Sequence, residues 1–429
     1  MKRALVWFTS DLRWHDNQAL FEAITENEEI LFCYCWNETF MNSEQLASRR
    51  VGNHRKRYLI QALIQLKKTL HEKGGKLLVL KGNPGSVLGE IHQQFDFQRV
   101  YLQQPIGWEE LQELEDVKNQ FQKEQIKWFI CRTNTLVDDS ELPFSIQQLP
   151  RVFTDFRKQV EKTSQVKPEI EMPFEIQSPS SFVFENELSF DAFSNEKELH
   201  PHSLVPYTGG ENEVISHLFY YLFETKAIHT YKETRNELKG VLNSSKLSIG
   251  LATGCISARV IYHTLQQFTN KHGSNESTYW LYFELLWRDF FYFQFRKYPR
   301  AFFLQNGLNR TNTSSFSSDL EKLVLWKNGD TKNQLINAGM KELNCTGFTT
   351  NRMRQLLASY FIYDLQLDWR YGAAYFEEQL IDYDVANNWG NWAYIAGVGN
   401  DPRSGRPFNI EKQAEMYDKD HSYRALWNY

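Results

Sequence analysis

Four stretches of this 429-residue sequence concentrate the residue types that do chemistry. In DYDVANNWGNWAYIAGVGNDP, Asp382, Asp384 and Asn388 stand among two tryptophans and a run of glycines. Aspartates anchor hydroxyl or ring N–H groups, tryptophans pack, stack or carry an electron, and glycines let a backbone approach closely. Together they read as the wall around a flat, polar-edged ligand. NSSKLSIGLATGCISAR sets Ser244, Ser245 and Ser248 at the start of a helical pattern, where hydroxyls and free N–H groups can hold phosphate oxygens. A plain serine N-cap is the simpler reading of that stretch alone. In STYWLYFELLWRDFFYFQFRKYP, Glu284 and Arg288 are four apart with Trp287 beside them, so one helical face presents a carboxylate, a guanidinium and an indole. A surface ion pair would explain as much. The aromatic density around it argues instead for an enclosed face able to stack a base and bond its edge. Further along, Arg296, Lys297 and Arg300 could hold phosphates or form a solvated basic helix end. GFTTNRMRQLLASYF opens a helix with Asn351, Arg352 and Arg354, and cations in a first turn oppose the helix dipole, which favours a binding role. Trp369 and Trp392, each taken singly, read as core.

Two kinds of element must position these residues. The first third alternates β-rich runs (RALVWF, EILFCYCW, KLLVL, RVYLQQ, IKWFIC) with helical patterns, which predicts a five-stranded parallel, doubly wound α/β sheet of flavodoxin or Rossmann-like type. Between the second and third runs, Leu59, Leu63, Leu66 and Leu70 share one helical face that stops at Gly74 and Gly75, and WEELQELEDVKNQFQ supplies another helix. The expected division is an α/β domain over 1–136, a long connector over 137–205 and an all-α domain over 206–429. The connector is rich in proline, serine and acidic residues, as in KPEIEMPFEIQSPSS, and shows no sustained period.

Composition narrows the function classes. The most apolar stretch carries Glu284, Arg288 and Asp289, which argues against a membrane span. MKRALVWF runs directly into a strand pattern, so cytoplasm is the expected compartment. Five cysteines, odd in number and without C-x-x-C spacing, signal neither a disulfide framework nor a zinc or iron–sulfur site, and are expected to be buried, reduced thiols. A net charge of -5 excludes binding polyanions with the whole surface and leaves room for a local basic patch. Aromatic content is high, at 15%, with twelve tryptophans. No complete G-x-G-x-x-G or Walker motif occurs, so a nucleotide would bind in the helical half by another mode.

Taken together, these motifs resemble the photolyase and cryptochrome family, and within it the DASH branch. LVWFTSDLRWHDNQAL, YKETRNELKG, the serine cluster, ESTYWLYFELLWRDFF, GFTTNRMRQ and IDYDVANNWGNWAYIAGVGNDPR follow in the family's order over nearly the whole chain. The resemblance implies FAD folded within the helical domain. Tyr231, Ser244, Ser245, Leu247 and Ser248 would hold its diphosphate side, Arg354, Asp382 and Asp384 would line the flavin, and Asn388 would face the reactive flavin nitrogen. Trp392 would be the nearest electron donor, with Trp369 next. The implied reaction is light-driven splitting of a cyclobutane pyrimidine dimer by one electron lent from reduced FAD. Glu284, Trp287 and Asn351 would act on the dimer, and Arg288, Arg352, Tyr394 and Gln413 would line the DNA side with them. Gln355 and Tyr394 match the DASH branch rather than the double-strand-repairing enzymes, and TTNR lacks the histidine pair of enzymes acting on six-four photoproducts. DNA that is single-stranded or locally unpaired is therefore the expected partner of a monomer, with RNA left open as a second polynucleotide.

Several positions depart from the family's pattern. Phe316 stands at the distal place of the electron chain, which predicts photoreduction that is slow or routed through another Tyr or Trp. Pro105 replaces the glutamate that binds a methenyltetrahydrofolate antenna, which predicts weak or absent folate unless Glu109 or Glu110 substitutes. Thr9 and Ser10 replace Arg-Asn, and Lys332, Gln334 and Asn337 replace Gly, Pro and Asp. A blue-light sensor acting through flavin redox state is the second reading, and a plain electron-transfer flavoprotein a distant third.

Overall fold

The computed structural model describes residues 2–173, 175–179, 182–190, 199–309, 317–401 and 405–428. Its first part is a five-stranded sheet of β1 (Arg3–Phe8), β2 (Glu29–Trp36), β3 (Leu77–Lys81), β4 (Arg99–Gln103) and β5 (Lys127–Cys131), in the order β3-β2-β1-β4-β5. Every pairing is parallel; Val6 of β1 stands opposite Phe32 on one side and Tyr101 on the other. This order is the Rossmann variant of the doubly wound sheet. The strands read as near-continuous apolar runs because helices cover both faces.

Alternation along β1 divides the interior in two. Leu5 and Trp7 join Leu31, Cys33, Leu78 and Leu102 under the helices Pro84–Phe95 and Trp108–Gln120. Ala4, Val6 and Phe8 face the helices Gln18–Glu26 and Asn53–Glu72, and this core runs on into the helical half. On Asn53–Glu72, Leu63, Leu66 and Leu70 are buried, as the spacing predicts, and Leu59 is partly so.

Within the stretch read as connector, Phe153–Thr163 forms a helix. Phe153, Phe156 and Val160 are its buried positions, and Phe156 packs against Phe290 and Phe293 of the long helix Glu276–Lys297. Three apolar residues at helical spacing suffice when the partner face is already aromatic. Farther on, the connector lies along the sheet edge, where the Leu188 N–H donates to the Val79 carbonyl at 2.8 Å and covers β3.

The loop after β1 joins the two halves. Asp16, at a φ of 53°, is buried and accepts from Arg259 at 2.7 and 3.0 Å. Glu211 accepts from the backbone N–H groups of Trp14 and His15 at 2.8 and 2.9 Å. Gly254, at a φ of 69°, lies so close that a Cβ there would sit 1.9 Å from the Ser10 carbonyl oxygen. Thr9 and Ser10 thus occupy a closed joint, with the Thr9 N–H donating to Asp11 Oδ1 at 3.0 Å. Asn337 closes the other departing loop through Thr331, accepting from its N–H at 2.8 Å and donating to its carbonyl at 2.9 Å.

All five cysteines are free thiols, but they are not all buried: Cys345 is exposed, on the solvent face of the helix Gln334–Thr346. Among the described residues no helix is long and apolar enough to cross a membrane, and no cluster of His, Cys, Asp and Glu is arranged to hold a metal.

Candidate functional site

The four chemical stretches converge on a cavity of about 580 Å³ in the helical half. One wall is organised by Asp382. Its two oxygens each lie 3.0 Å from Arg354 Nη2, and Oδ2 also accepts from Ser248 Oγ at 2.7 Å. Arg354 is fixed in turn by its Nε–H, which donates to the Thr349 carbonyl at 2.9 Å, and by Phe348, 5.0 Å beneath its guanidinium. Asp384 caps the helix Val385–Ile395, accepting from the Asn387 N–H at 2.8 Å. One aspartate therefore orients a cation while the next starts the helix that carries Trp392.

Beside this pair lies a basic cradle. Lys246 holds a left-handed φ of 55°, a conformation that costs a non-glycine residue on the order of 1 kcal/mol. Its side chain is 3% exposed and donates to Ser244 Oγ at 2.7 Å. Burial pushes its ammonium down to about 8. A buried lysine beside a serine hydroxyl, without a direct ion pair among the described residues, fits an anionic group such as a diphosphate. Tyr231, Ser245 and Leu247 complete this side.

The opposite wall is one face of Glu276–Lys297, started by an Asn275 capping box. Glu284 pairs with Arg235; desolvation pushes its carboxyl above the usual range, and Arg235 partly offsets this. Trp287 stacks on Phe153 with ring centroids 3.7 Å apart and 14° between planes. Tyr394 meets the same indole edge-on at 5.9 Å and is held by Arg406, whose guanidinium lies 4.5 Å over its ring and donates to its hydroxyl. Arg288 donates to the Asn134 carbonyl. Asn351 is exposed at its helix start, and Arg352 packs over Tyr417 at 5.2 Å and donates to Asn236 Oδ1 at 3.2 Å. Among the described residues, six cationic side chains and three carboxylates line the cavity, a local positive balance in a protein of net charge -5.

Most expected site residues thus meet here, and some do not. Asn388 is 8% exposed and does not line the cavity; its Nδ2 donates to the Ala373 carbonyl at 2.9 Å. Gln413 is also outside the lining, on Ile410–Tyr417, with a buried Oε1 that has no hydrogen-bond partner among the described residues. Trp392 and Trp369 lie behind the wall, 2% and 0% exposed. Phe316 lies outside the described residues. The basic helix end is tied down by the protein itself: Arg296 pairs with Asp139, Lys297 donates to the Leu149 carbonyl at 3.0 Å, and Arg300 lies 4.9 Å over Trp108. Lys246, Arg235, Phe153 and Arg406 belong to the site without having been singled out in the sequence. Lys246 carried a signal, since it interrupts the serine cluster.

Two family models match the chain: residues 4–174 match DNA photolyase, and residues 280–428 match the FAD binding domain of DNA photolyase. A cryptochrome DASH of Idiomarina loihiensis is 40% identical over 422 residues, which cover 98% of this chain and 91% of that protein. The chain belongs to the cryptochrome DASH family. The cryptochrome DASH of Gloeobacter violaceus is 37% identical over 99% of the chain and 85% of its own length. Among solved structures, a Synechocystis cryptochrome superposes with a TM-score of 0.95 at 37% identity, covering 100% of this chain and 88% of that one. The DASH assignment spans both halves, so the sheet and the helical cavity belong to one architecture.

A second cavity, of about 690 Å³, lies between the halves at the carboxyl ends of the strands, where the strand order reverses. Phe8, Thr9, Tyr34, Trp108 and Pro105 line it. Three of its acids are already engaged: Glu109 pairs with Arg50, Glu110 accepts from the Gly107 N–H at 3.1 Å, and Glu377 forms an ion pair with Arg50 at 3.0 Å.

Proposed function

We propose that this protein binds FAD in the helical cavity and uses it to split cyclobutane pyrimidine dimers in single-stranded DNA under blue light. The observation that carries the reading is one cavity with two unlike walls. On one side Lys246, the serines and the Asp382–Arg354 pair suit a diphosphate and a flavin edge; on the other, Glu284 and Trp287 share a helical face. A volume of about 580 Å³ lies within the range of about 300–1,000 Å³ usual for cofactor-sized ligands. FAD, when bound and reduced, supplies the electron that opens the dimer.

The chain's own residues orient and exclude. Trp287, backed by Phe153, offers its open side for stacking. Glu284, released from Arg235 by the incoming lesion, hydrogen-bonds the base edge, and Asn351, Arg288, Arg352 and Tyr394 face the strand. Gln413 and Asn388 act from behind the lining. Extrusion from a duplex costs a few kcal/mol, which an unpaired strand avoids. Pro105 and the engaged Glu109 and Glu110 support weak or absent folate in the second cavity. The reading divides the chain into 1–136, 137–205 and 206–429 and expects a monomer.

The test is repair of thymine dimers in single-stranded and duplex oligonucleotides by chemically reduced, FAD-loaded protein under blue light. Repair confined to single strands supports the proposal. Bound flavin without repair on either substrate overturns it and moves the function to a blue-light receptor.

A further inference from the structure

Two lines of aromatic rings run outward from the region of Trp392. In the first, Trp392 meets Trp326 at 6.2 Å between centroids, and Trp326 meets Tyr375 at 5.8 Å. In the second, the Trp392 ring lies against Gly372, where a Cβ would approach it to 2.2 Å. Gly372 is one helical turn beyond Trp369 on the helix Trp369–Gln379. Trp369 then meets Trp389 at 5.9 Å. The Trp389 Nε1–H donates to Glu377 Oε2 at 3.0 Å, and the Tyr383 hydroxyl donates to the same oxygen at 2.8 Å. Tyr383 lines the inter-domain cavity.

The two lines differ in what waits at the end. A tyrosine gives up an electron readily only if its phenolic proton leaves too, and the acceptor must be a base within hydrogen-bond reach, about 2.6–3.2 Å. Tyr375 donates to Asn344 Oδ1 at 2.7 Å, an amide rather than a base, and the Lys327 ammonium lies 4.7 Å over its ring. Tyr383 has a carboxylate. Arg55, 4.5 Å over the Tyr383 ring, opposes a bare positive charge there, so the electron must leave together with the proton.

We propose that Trp389, Tyr383 and Glu377 form a proton-coupled electron inlet that joins the flavin cavity to the inter-domain cavity, where a small thiol reductant enters. The proposal rests on the reading that the helical cavity holds FAD. After Trp392 has given one electron to the light-excited, oxidised cofactor, Trp369 refills Trp392 and Trp389 refills Trp369, with no bond made or broken. Tyr383 refills Trp389; its O–H bond breaks, and the proton passes to Glu377 Oε2, leaving a neutral phenoxyl radical and a neutral carboxylic acid. A neutral thiol, which the acidic lining does not repel, then gives a hydrogen atom to the radical and becomes a thiyl radical, while Glu377 releases its proton to solvent. Charge and proton balance close on the chain, and Phe316 has no part in the route.

The experiment uses the full chain loaded with oxidised FAD, its flavin content measured by absorbance first. Samples are illuminated with dithiothreitol for photoreduction rates, and without it, then frozen, for electron paramagnetic resonance of tyrosyl radicals. Tyr383→Phe should abolish the tyrosyl signal and slow photoreduction by at least about tenfold, and Trp389→Phe should do the same. Glu377→Gln, nearly isosteric, should retain FAD and lose the radical. Tyr375→Phe and Trp326→Phe should leave both readings unchanged, and chemically reduced Tyr383→Phe should repair at the wild-type rate. An unchanged radical in Tyr383→Phe with flavin bound, or its loss in Tyr375→Phe, overturns the inlet alone. Absence of flavin from the wild-type protein overturns the inlet and the cofactor reading together.

Discussion

The two large cavities of this protein are similar in size and opposite in electrical character. The helical one is ringed by cations, from Arg235 and Lys246 to Arg406, and among the described residues three carboxylates oppose them. The inter-domain one sets Glu44, Glu109, Glu110, Glu113 and Glu377 against Arg50 and Arg55. The first therefore favours anionic ligands, and the second disfavours them. The contrast teaches that overall charge, at -5, is a poor guide to local potential: the molecule is basic around one cavity and acidic around the other.

The contrast can be broken most severely at Asp382. Asp382→Ala leaves Arg354 and Ser248 without their shared acceptor, and removing one member of such a pair costs about 3–5 kcal/mol. FAD content, read by absorbance, should fall by at least about 100-fold. A smaller effect lies beneath Lys246. Desolvation pushes the Glu342 carboxyl up to about 7, although it accepts from Thr349 Oγ1 and from the Tyr423 hydroxyl, both at 2.6 Å. Because this value is raised above that of the unfolded chain, about 4.5, the stabilisation is full below that pH and is lost as pH rises through about 7. Glu342→Gln stays neutral throughout. Thermal melts at pH 5 should barely distinguish it from wild type, and at pH 8 it should be the more stable by up to about 3 kcal/mol.

Glu284→Gln tests the wall proposed to face the lesion without disturbing the wall proposed to hold the cofactor. It should slow repair by about 10–100-fold, the worth of a charge-assisted hydrogen bond, with FAD content unchanged. Glu109→Ala, which frees one half-exposed partner of Arg50, should alter stability by no more than about 1 kcal/mol and leave flavin and repair untouched. A large loss of FAD in that variant would mean that the two cavities are not independent.

The sheet was legible because a strand buried on both faces must be apolar throughout; RALVWF and EILFCYCW match β1 and β2 residue for residue. The helical cavity was legible where chemistry is local, as at Glu284 and Trp287 or Asp382 and Asp384. It was not legible where a residue acts across the fold. Phe153 supports Trp287 from a segment whose composition suggests a loop, because three buried apolar positions are too few to show a period among prolines and serines. Lys246 acts through a left-handed backbone that side-chain chemistry does not announce. Asn388 illustrates the reverse: its place in the motif is clear, yet local packing turns its amide toward Ala373. The inter-domain cavity was legible only at Pro105, Glu109 and Glu110, through the family resemblance, and its wall from Arg50, Arg55, Glu377 and Tyr383 was not.

The Asp16–Arg259 clasp has a consequence for how the molecule is made. Its members are separated by 243 positions, so at a synthesis rate of about 5–20 residues per second Asp16 waits roughly 12–50 s for its partner. Through that interval the face of the sheet carrying Ala4, Val6 and Phe8 is only partly covered, because the core that completes it has yet to be translated. The nascent α/β unit is thus the state most exposed to sticking and to chaperone capture, and the loop after β1 becomes a buried joint only after the helical half has arrived.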